Sequence, residues 1–228
     1  MKKVLIVEDD RSLLTRIVKF LGKYQDQFEV VPASDGQEAI EILRDQSVSL
    51  VVTDIQMPNV NGLKLLAYIN NYYAYVPCFV MTAYSTSRLK AKLPGDLLRF
   101  FEKPFEIEDL AKAIVAALDR DVESYPKKTV SLLNFLTLIE MYQASCRFDI
   151  EVPNKTPGSL YFNNGILYDA ICGDLTGETA ALKLLSRKTP IYSPTFSSQK
   201  EIVRRITTDL RDLIRNVTGS IDETPQGT

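Results

Sequence analysis

Residues 50–58 of this chain, LVVTDIQMP, form the segment from which the fold is best predicted. Residues 50–53 are apolar or β-branched, a composition that favours a buried β-strand. The run ends at an acidic residue, Asp54, and two residues later comes Gln56. The segment therefore predicts a core strand that presents a carboxylate at its carboxyl end.

Strand-like and helix-like segments alternate on both sides of this strand. Further short apolar runs occupy residues 4–7, 28–31, 78–81 and 98–101, and residues 107–118 have the pattern of an amphipathic helix. Five strands that alternate with helices predict an α/β fold, with a doubly wound parallel sheet covered on both faces. We assign residues 1–121 to this domain.

The pattern changes after residue 121. Residues 122–129 are polar, contain a proline and are typical of a linker. Residues 130–218 predict a smaller α+β domain, with a hairpin at Asn163-Asn164-Gly165 and a last helix striped by apolar side chains. That stripe consists of Ile202, Ile206, Leu210 and Ile214. Residues 219–228 are predicted to be a flexible tail.

Composition limits the classes of function. The 228 residues are 45% hydrophobic and 25% charged, as in a soluble globular protein. No apolar run is long enough for a membrane span or an export signal, so we expect a cytoplasmic protein without a membrane partner. The formal net charge of −2 does not favour a nucleic-acid partner. The absence of histidine excludes catalytic triads and metal sites that depend on histidine.

Polar residues follow four of the predicted strands. Glu8 and Asp9 follow the first strand, Asp54 ends the third, Thr82 the fourth, and Lys103 follows the fifth. In a parallel sheet these ends lie at one edge, where ligands bind. Crowded carboxylates raise one another's pKa unless a cation intervenes, and a hard divalent ion, Mg²⁺ or Mn²⁺, suits such ligands. A carboxylate held in this way can attack phosphorus.

These residues belong to four short motifs, VEDD (7–10), DIQMP (54–58), MTA (81–83) and KPF (103–105). In this order and at these separations they resemble the receiver domains of two-component response regulators, which have a flavodoxin-like fold. The resemblance implies that Asp54 is the phosphoacceptor. It also implies a metal bound by Asp9, Asp54 and the backbone carbonyl of Gln56, with Glu8 acting through water.

The same resemblance implies roles for residues around the acceptor. Thr82 would move to the phosphoryl group, Lys103 would contact it, and Phe100 would rotate inward as the aromatic switch. The Lys103–Pro104 peptide is expected to be cis. Tyr84 and Gln56 overhang the site and are expected to set the lifetime of the phosphate.

One segment departs from the family pattern. Residues 93–96, LPGD, interrupt the expected fourth helix, since proline breaks helices. This leaves homodimerisation through that face open.

The second half resembles PATAN-like output domains. The resemblance covers residues 129–217 and rests on SLLNFL (131–136), GSLYFNNG (158–165) and LTGETAA (175–181). It implies a protein-interaction module without known chemistry.

The sequence thus predicts a regulator that is not an enzyme. It would accept a phosphoryl group from a histidine kinase or phosphotransfer protein and switch binding to a downstream protein partner. A haloacid-dehalogenase-like phosphatase is a weaker alternative, because Gln56 stands where that family needs a general acid. A DNA-binding regulator is another, weakened because Arg204, Arg205, Arg211 and Arg215 are interleaved with acidic residues.

Overall fold

The computed structural model describes residues 1–57, 61–83, 99–119, 130–187, 191–196 and 202–219. They form two compact units, Met1–Val130 and Ser131–Thr228. A membrane-crossing helix is not found in these ranges, because no helix there combines sufficient length with sufficient hydropathy.

The first unit is a five-stranded sheet in the order β2-β1-β3-β4-β5, with every pair of neighbours parallel. The prediction of a doubly wound α/β fold is confirmed. In chain order the elements are β1 (Lys2–Val7), α1 (Arg11–Leu21), β2 (Phe28–Ala33), α2 (Gly36–Asp45), β3 (Leu50–Asp54), α3 (Gly62–Tyr72), β4 (Cys78–Thr82), β5 (Arg99–Glu102) and α4 (Ile107–Leu118).

The core of this unit explains why β3 is apolar over residues 50–52. All five of its residues are buried, since both faces of the sheet are covered. On one face, alternate strand residues pack with α1 and α4, and this cluster includes Val4, Ile6, Val52, Ile17, Leu110 and Ile114. The intervening residues Leu5 and Val51 are fully buried on the other side.

The second unit is built on an antiparallel sheet in the order β10-β6-β7-β8-β9. This confirms the prediction of a second, smaller domain that mixes helices and strands. Its elements are α5 (Leu132–Met141), β6 (Cys146–Glu151), β7 (Gly158–Asn163), β8 (Ile166–Cys172), β9 (Leu175–Thr176), α6 (Gly177–Leu185), β10 (Ile191–Thr195) and α7 (Leu210–Gly219). The predicted hairpin is present, with positive φ at Asn164 (49°) and Gly165 (77°).

The last helix is shorter than predicted. The apolar stripe suggested a helix from Ile202, but α7 begins only at Leu210. The amides of Arg205 and Ile206 both donate to the carbonyl oxygen of Tyr168 at 2.9 Å, which ties this segment to β8. Asp209 then accepts the amide of Arg211 at 2.8 Å and starts the helix.

Candidate functional site

The register of the parallel sheet brings the predicted site residues to one edge. Val7 pairs with Thr53, so Glu8 emerges beside Asp54. Further along the sheet Thr82 pairs with Glu102, and the next residue is Lys103. The amide of Lys103 donates to the carbonyl oxygen of Thr82 at 2.7 Å, which fixes where the lysine side chain leaves the strand.

A single ammonium group bridges two buried carboxylates at this edge. Lys103 Nζ lies 2.7 Å from Glu8 Oε2 and 2.7 Å from Asp54 Oδ2. Glu8 is only 1% exposed and Asp54 only 7% exposed, so solvent screens these contacts weakly. Two buried negative groups therefore share one positive group.

A third carboxylate increases the excess of negative charge. Single oxygens of Glu8, Asp9 and Asp54 all lie within 4.8 Å of one another, and Asp9 is exposed to solvent. The second Asp54 oxygen, Oδ1, accepts the amide of Gln56 at 3.1 Å. Three hard oxygen donors with one neighbouring lysine are a suitable set for a divalent cation such as Mg²⁺.

The charges at this site alter two pKa values. Burial raises the pKa of Glu8, and the negative charge of Asp54 adds to this, whereas the hydrogen bond and charge of Lys103 act in the opposite direction. Burial alone would lower the pKa of Lys103, but its hydrogen bonds to Asp54 and Glu8 outweigh this and raise it. The raised pKa of Glu8 indicates that one lysine does not fully offset the burial of this carboxylate beside Asp54.

The adjacent Asp10 has a different task from its two neighbours. Its carboxylate accepts the amides of Ser12 at 2.8 Å and Leu13 at 3.2 Å, so it caps the amino end of α1. Of the three consecutive acids, only Glu8 and Asp9 face the cluster with Asp54.

Gly62 supports the site, although the sequence reasoning did not single it out. A Cβ atom placed on Gly62 would overlap the carbonyl oxygen of Asp54 and lie 2.6 Å from Cα of Ile55. The first residue of α3 therefore packs directly on the backbone of the predicted acceptor. The signal that was available is a glycine directly after a helix-capping Asn61.

Most of the other predicted site residues lie within the part of the chain that the structure describes. Thr82 is buried at the end of β4, Phe100 is half-buried on β5, and Gln56 is exposed. The Lys103–Pro104 peptide is cis, as the resemblance implies. Tyr84 lies outside the described residues, and so do residues 93–96.

Comparison with known proteins gives the first unit a family match. Residues 4–115 match the family described as the response regulator receiver domain. The response regulator protein FleR of Pseudomonas aeruginosa is 33% identical over 111 residues, which cover 47% of this chain and 23% of FleR. The chain therefore spans less than a quarter of FleR.

Two further proteins are similar to this chain over different shares of its length. The transcriptional regulatory protein CpxR of Klebsiella pneumoniae is 28% identical over 212 residues, which cover 91% of this chain and 82% of CpxR. Among solved structures, the receiver domain of the hybrid histidine kinase CckA is 26% identical, with a TM-score of 0.43, over 51% of this chain and 99% of that one.

Proposed function

Because its first unit is a response regulator receiver domain, we propose that this protein is a phosphorylation-controlled regulator of two-component signalling with Asp54 as the phosphoacceptor. The observation that carries the proposal is the Lys103 ammonium, 2.7 Å from both Glu8 and Asp54. The excess of carboxylates around one lysine suits a site that receives a cation and an anionic group together.

In this mechanism Asp54 is the nucleophile. One of its carboxylate oxygens forms a bond to phosphorus while the bond between phosphorus and the donor's leaving atom breaks, and the product is an aspartyl phosphate. The amide of Gln56 holds one Asp54 oxygen and Lys103 holds the other, which restricts the carboxylate to one orientation. The donor would be a histidine kinase or a phosphotransfer protein.

The donor set supports a metal requirement. Asp9, Asp54 and the backbone carbonyl of Gln56 would hold Mg²⁺ or Mn²⁺, with Glu8 acting through a water molecule. When bound, such an ion neutralises the charge on the transferring phosphoryl oxygens. Glu8 keeps its hydrogen bond to Lys103 and so holds the ammonium at the site.

Four residues would convert the modification into a switch with a set lifetime. Thr82 and Phe100 are the proposed moving parts. This is supported by the burial of Thr82 beside Lys103 and by the pairing of Phe100 with Val80 on the neighbouring strand. Gln56, which is exposed, and Tyr84 would control access of water to the aspartyl phosphate.

For the second unit we propose a protein-binding output of the PATAN-like kind, formed by residues 130–218 after the linker 122–129. Its combination of an antiparallel sheet with helices agrees with that class of module. Three of its arginines lie beside acids, since Arg205 pairs with Asp169, Arg211 with Glu140 and Arg215 with Asp212. Acids interleaved with arginines lower the local positive charge on which attraction to a phosphate backbone depends.

One observation favours a second candidate, a DNA-binding transcription regulator. The similarity to CpxR, named a transcriptional regulatory protein, extends over 91% of this chain. A gel-shift assay at moderate salt, with and without beryllofluoride and Mg²⁺, separates the two outputs. Salt-sensitive retardation of DNA would favour the second candidate, whereas a beryllofluoride-dependent pull-down of a protein partner favours the first.

The acceptor itself is tested with acetyl phosphate and Mg²⁺, followed by intact-protein mass spectrometry. We expect the mass of one phosphoryl group on the natural protein and none on Asp54→Asn. Asp10→Asn is the matched control, because asparagine caps a helix about as well as aspartate and Asp10 does not face the acidic cluster. Labelling of Asp54→Asn at the natural rate, or no labelling of either the natural protein or Asp10→Asn, contradicts the proposal.

A further inference from the structure

Helix α3 carries a buried polar residue that the site does not use. Asn70 is 2% exposed, and its Oδ1 accepts the amide of Val130 at 3.0 Å. Val130 is fully buried and is the last residue of the first unit. A side chain on α3 thus anchors the point at which the chain leaves this unit, 60 residues later in sequence.

This anchor is a contact of modest strength. Asn70 Oδ1 accepts the Val130 amide at 3.0 Å, and both residues are buried. A neutral hydrogen bond contributes only about 0.5–1.5 kcal/mol net to stability. The contact can therefore open at modest cost, as a switch between two states of similar free energy requires.

The same helix begins against the backbone of Asp54. Gly62, its first residue, donates its amide to the carbonyl oxygen of Ile55 at 3.0 Å. Because even a Cβ atom on Gly62 would overlap the Asp54 carbonyl oxygen, no space is left between the helix and the strand end. From Gly62 the helix continues without a break past Asn70 to Tyr72. A displacement of the backbone at Asp54 must therefore move α3 or distort it.

We propose that the Asn70–Val130 hydrogen bond is a latch that is closed while Asp54 is unmodified and opens when a phosphoryl group is added. The inference rests on the proposed function of Asp54. Opening frees the amide of Val130 from α3, and the next residue, Ser131, caps α5 by accepting the amide of Asn134 at 3.2 Å. The latch thus controls the segment that leads directly into the first helix of the second unit.

Hydrogen exchange at the Val130 amide, measured by NMR on the full chain, tests the latch. In the natural protein, beryllofluoride with Mg²⁺ is expected to speed exchange at this amide by about fivefold or more. Asn70→Leu, which keeps the number and branching of the heavy atoms but removes the acceptor, should exchange fast already without beryllofluoride. Asn71→Leu makes the same change at the neighbouring half-buried residue and should behave like the natural protein.

Reciprocity supplies a second readout. If addition of the anion opens the latch, a latch that is already open must bind the anion more tightly by the same factor. Fluorine NMR of bound beryllofluoride should therefore show tighter binding to Asn70→Leu than to Asn71→Leu.

The outcomes separate the two proposals. Binding of beryllofluoride without any change in Val130 exchange overturns the latch and leaves the acceptor role of Asp54 intact. Failure of beryllofluoride to bind the natural protein, or equal binding to Asp54→Asn, overturns the acceptor role instead. The comparison of natural protein with and without beryllofluoride needs no substitution, so the test survives if Asn70→Leu does not fold.

Discussion

Among the described residues, each unit of this protein has one buried aspartate, and the two have nearly the same set of partners. Asp54 has an ammonium nitrogen at 2.7 Å on one oxygen and a backbone amide at 3.1 Å on the other. Asp169 has a guanidinium nitrogen of Arg205 at 2.5 Å on one oxygen and the amide of Gly177 at 3.2 Å on the other. A list of hydrogen bonds alone does not distinguish a reactive carboxylate from a structural one.

The difference lies in the charges around each pair. Asp54 shares Lys103 with Glu8, and Asp9 lies within 4.8 Å of both acids. Asp169 has Arg205 as its ion-pair partner, and it belongs to no acidic cluster among the described residues. An excess of negative charge leaves a site open to a cation and an anion, whereas a balanced pair serves only to hold the fold.

The largest effect is expected from the same substitution at the two aspartates. Asp169→Asn replaces the charged acceptor of half-exposed Arg205 with a neutral one and should lower the unfolding free energy of the second unit by about 2–3 kcal/mol. Asp54→Asn relieves repulsion from Glu8 and Asp9, so the first unit should keep its stability or gain about 1 kcal/mol. Urea unfolding without metal measures this, with hydrogen exchange of β3 and β8 reporting on each unit.

The charge-excess explanation depends on the opposite signs of these two results. If Asp54→Asn destabilised the first unit as strongly as Asp169→Asn destabilises the second, Asp54 would be a structural ion pair. The comparison between the two aspartates would then no longer distinguish a reactive carboxylate from a structural one.

A somewhat smaller effect is expected from a substitution of Gly62, which packs against the backbone of Asp54. Gly62→Ala places a methyl group against backbone atoms that cannot move aside, and should cost about 2 kcal/mol. It should also slow labelling of Asp54 by acetyl phosphate, because the strand end is displaced. Gly22→Ala is the matched control, since nothing lies within 4 Å of that added carbon, and it should leave stability unchanged or slightly raised. Equal stability of the two variants would show that α3 does not pack rigidly on the site.

The site of the first unit could be predicted from sequence because the carboxyl ends of parallel strands lie at the same edge of the sheet. The apolar runs before Glu8 and through Asp54 leave little choice of register, and a parallel sheet fixes which end of each strand meets the others. The sequence could not show that Asp9 faces the acidic cluster whereas Asp10 caps α1, because this depends on the turn between β1 and α1.

The buried pair of the second unit was missed for a related reason. The sequence pattern did not single out Asp169, yet it is 3% exposed and paired with Arg205, which lies 36 residues away. Antiparallel strands joined by a hairpin carry no rule about which distant segment will cover them. The only local signal was an acid inside the apolar run of β8. The latch between Asn70 and Val130 has no sequence signal at all.

Removal of the cationic partner of each aspartate, Lys103 or Arg205, should destabilise the unit that contains it. Only the first unit should then recover stability when a metal ion is added. Lys103→Met leaves Glu8 and Asp54 without compensation and should lower the stability of the metal-free first unit by about 1–2 kcal/mol, and Mg²⁺ should restore most of this. Arg205→Met should cost a similar amount in the second unit, without recovery in Mg²⁺. Urea unfolding with EDTA and with Mg²⁺ measures both. Equal recovery of both variants would mean that the ion acts nonspecifically.

The smallest effect concerns pH, where the two units should respond with opposite signs. Burial raises the pKa of Glu8, so its contribution to the stability of the first unit is complete at low pH and is lost as pH rises through its folded-state pKa. Hydrogen bonds from the hydroxyl and the amide of Thr208 lower the pKa of Glu178. Its contribution to the second unit is therefore complete at neutral pH and is lost as pH falls through the lowered pKa.

Thr208→Val isolates this second contribution, because valine keeps the shape of threonine and removes the hydroxyl that donates to Glu178 at 2.5 Å. At neutral pH the variant should be less stable than the natural protein, by less than any of the three effects above. As pH falls through the pKa of Glu178 the difference should shrink, because a protonated carboxyl group no longer favours that donor. Hydrogen exchange of α6 across the acid range measures the difference. A gap between the two proteins that stayed constant with pH would mean that Thr208 acts through packing, and that the charge of Glu178 contributes nothing to the second unit.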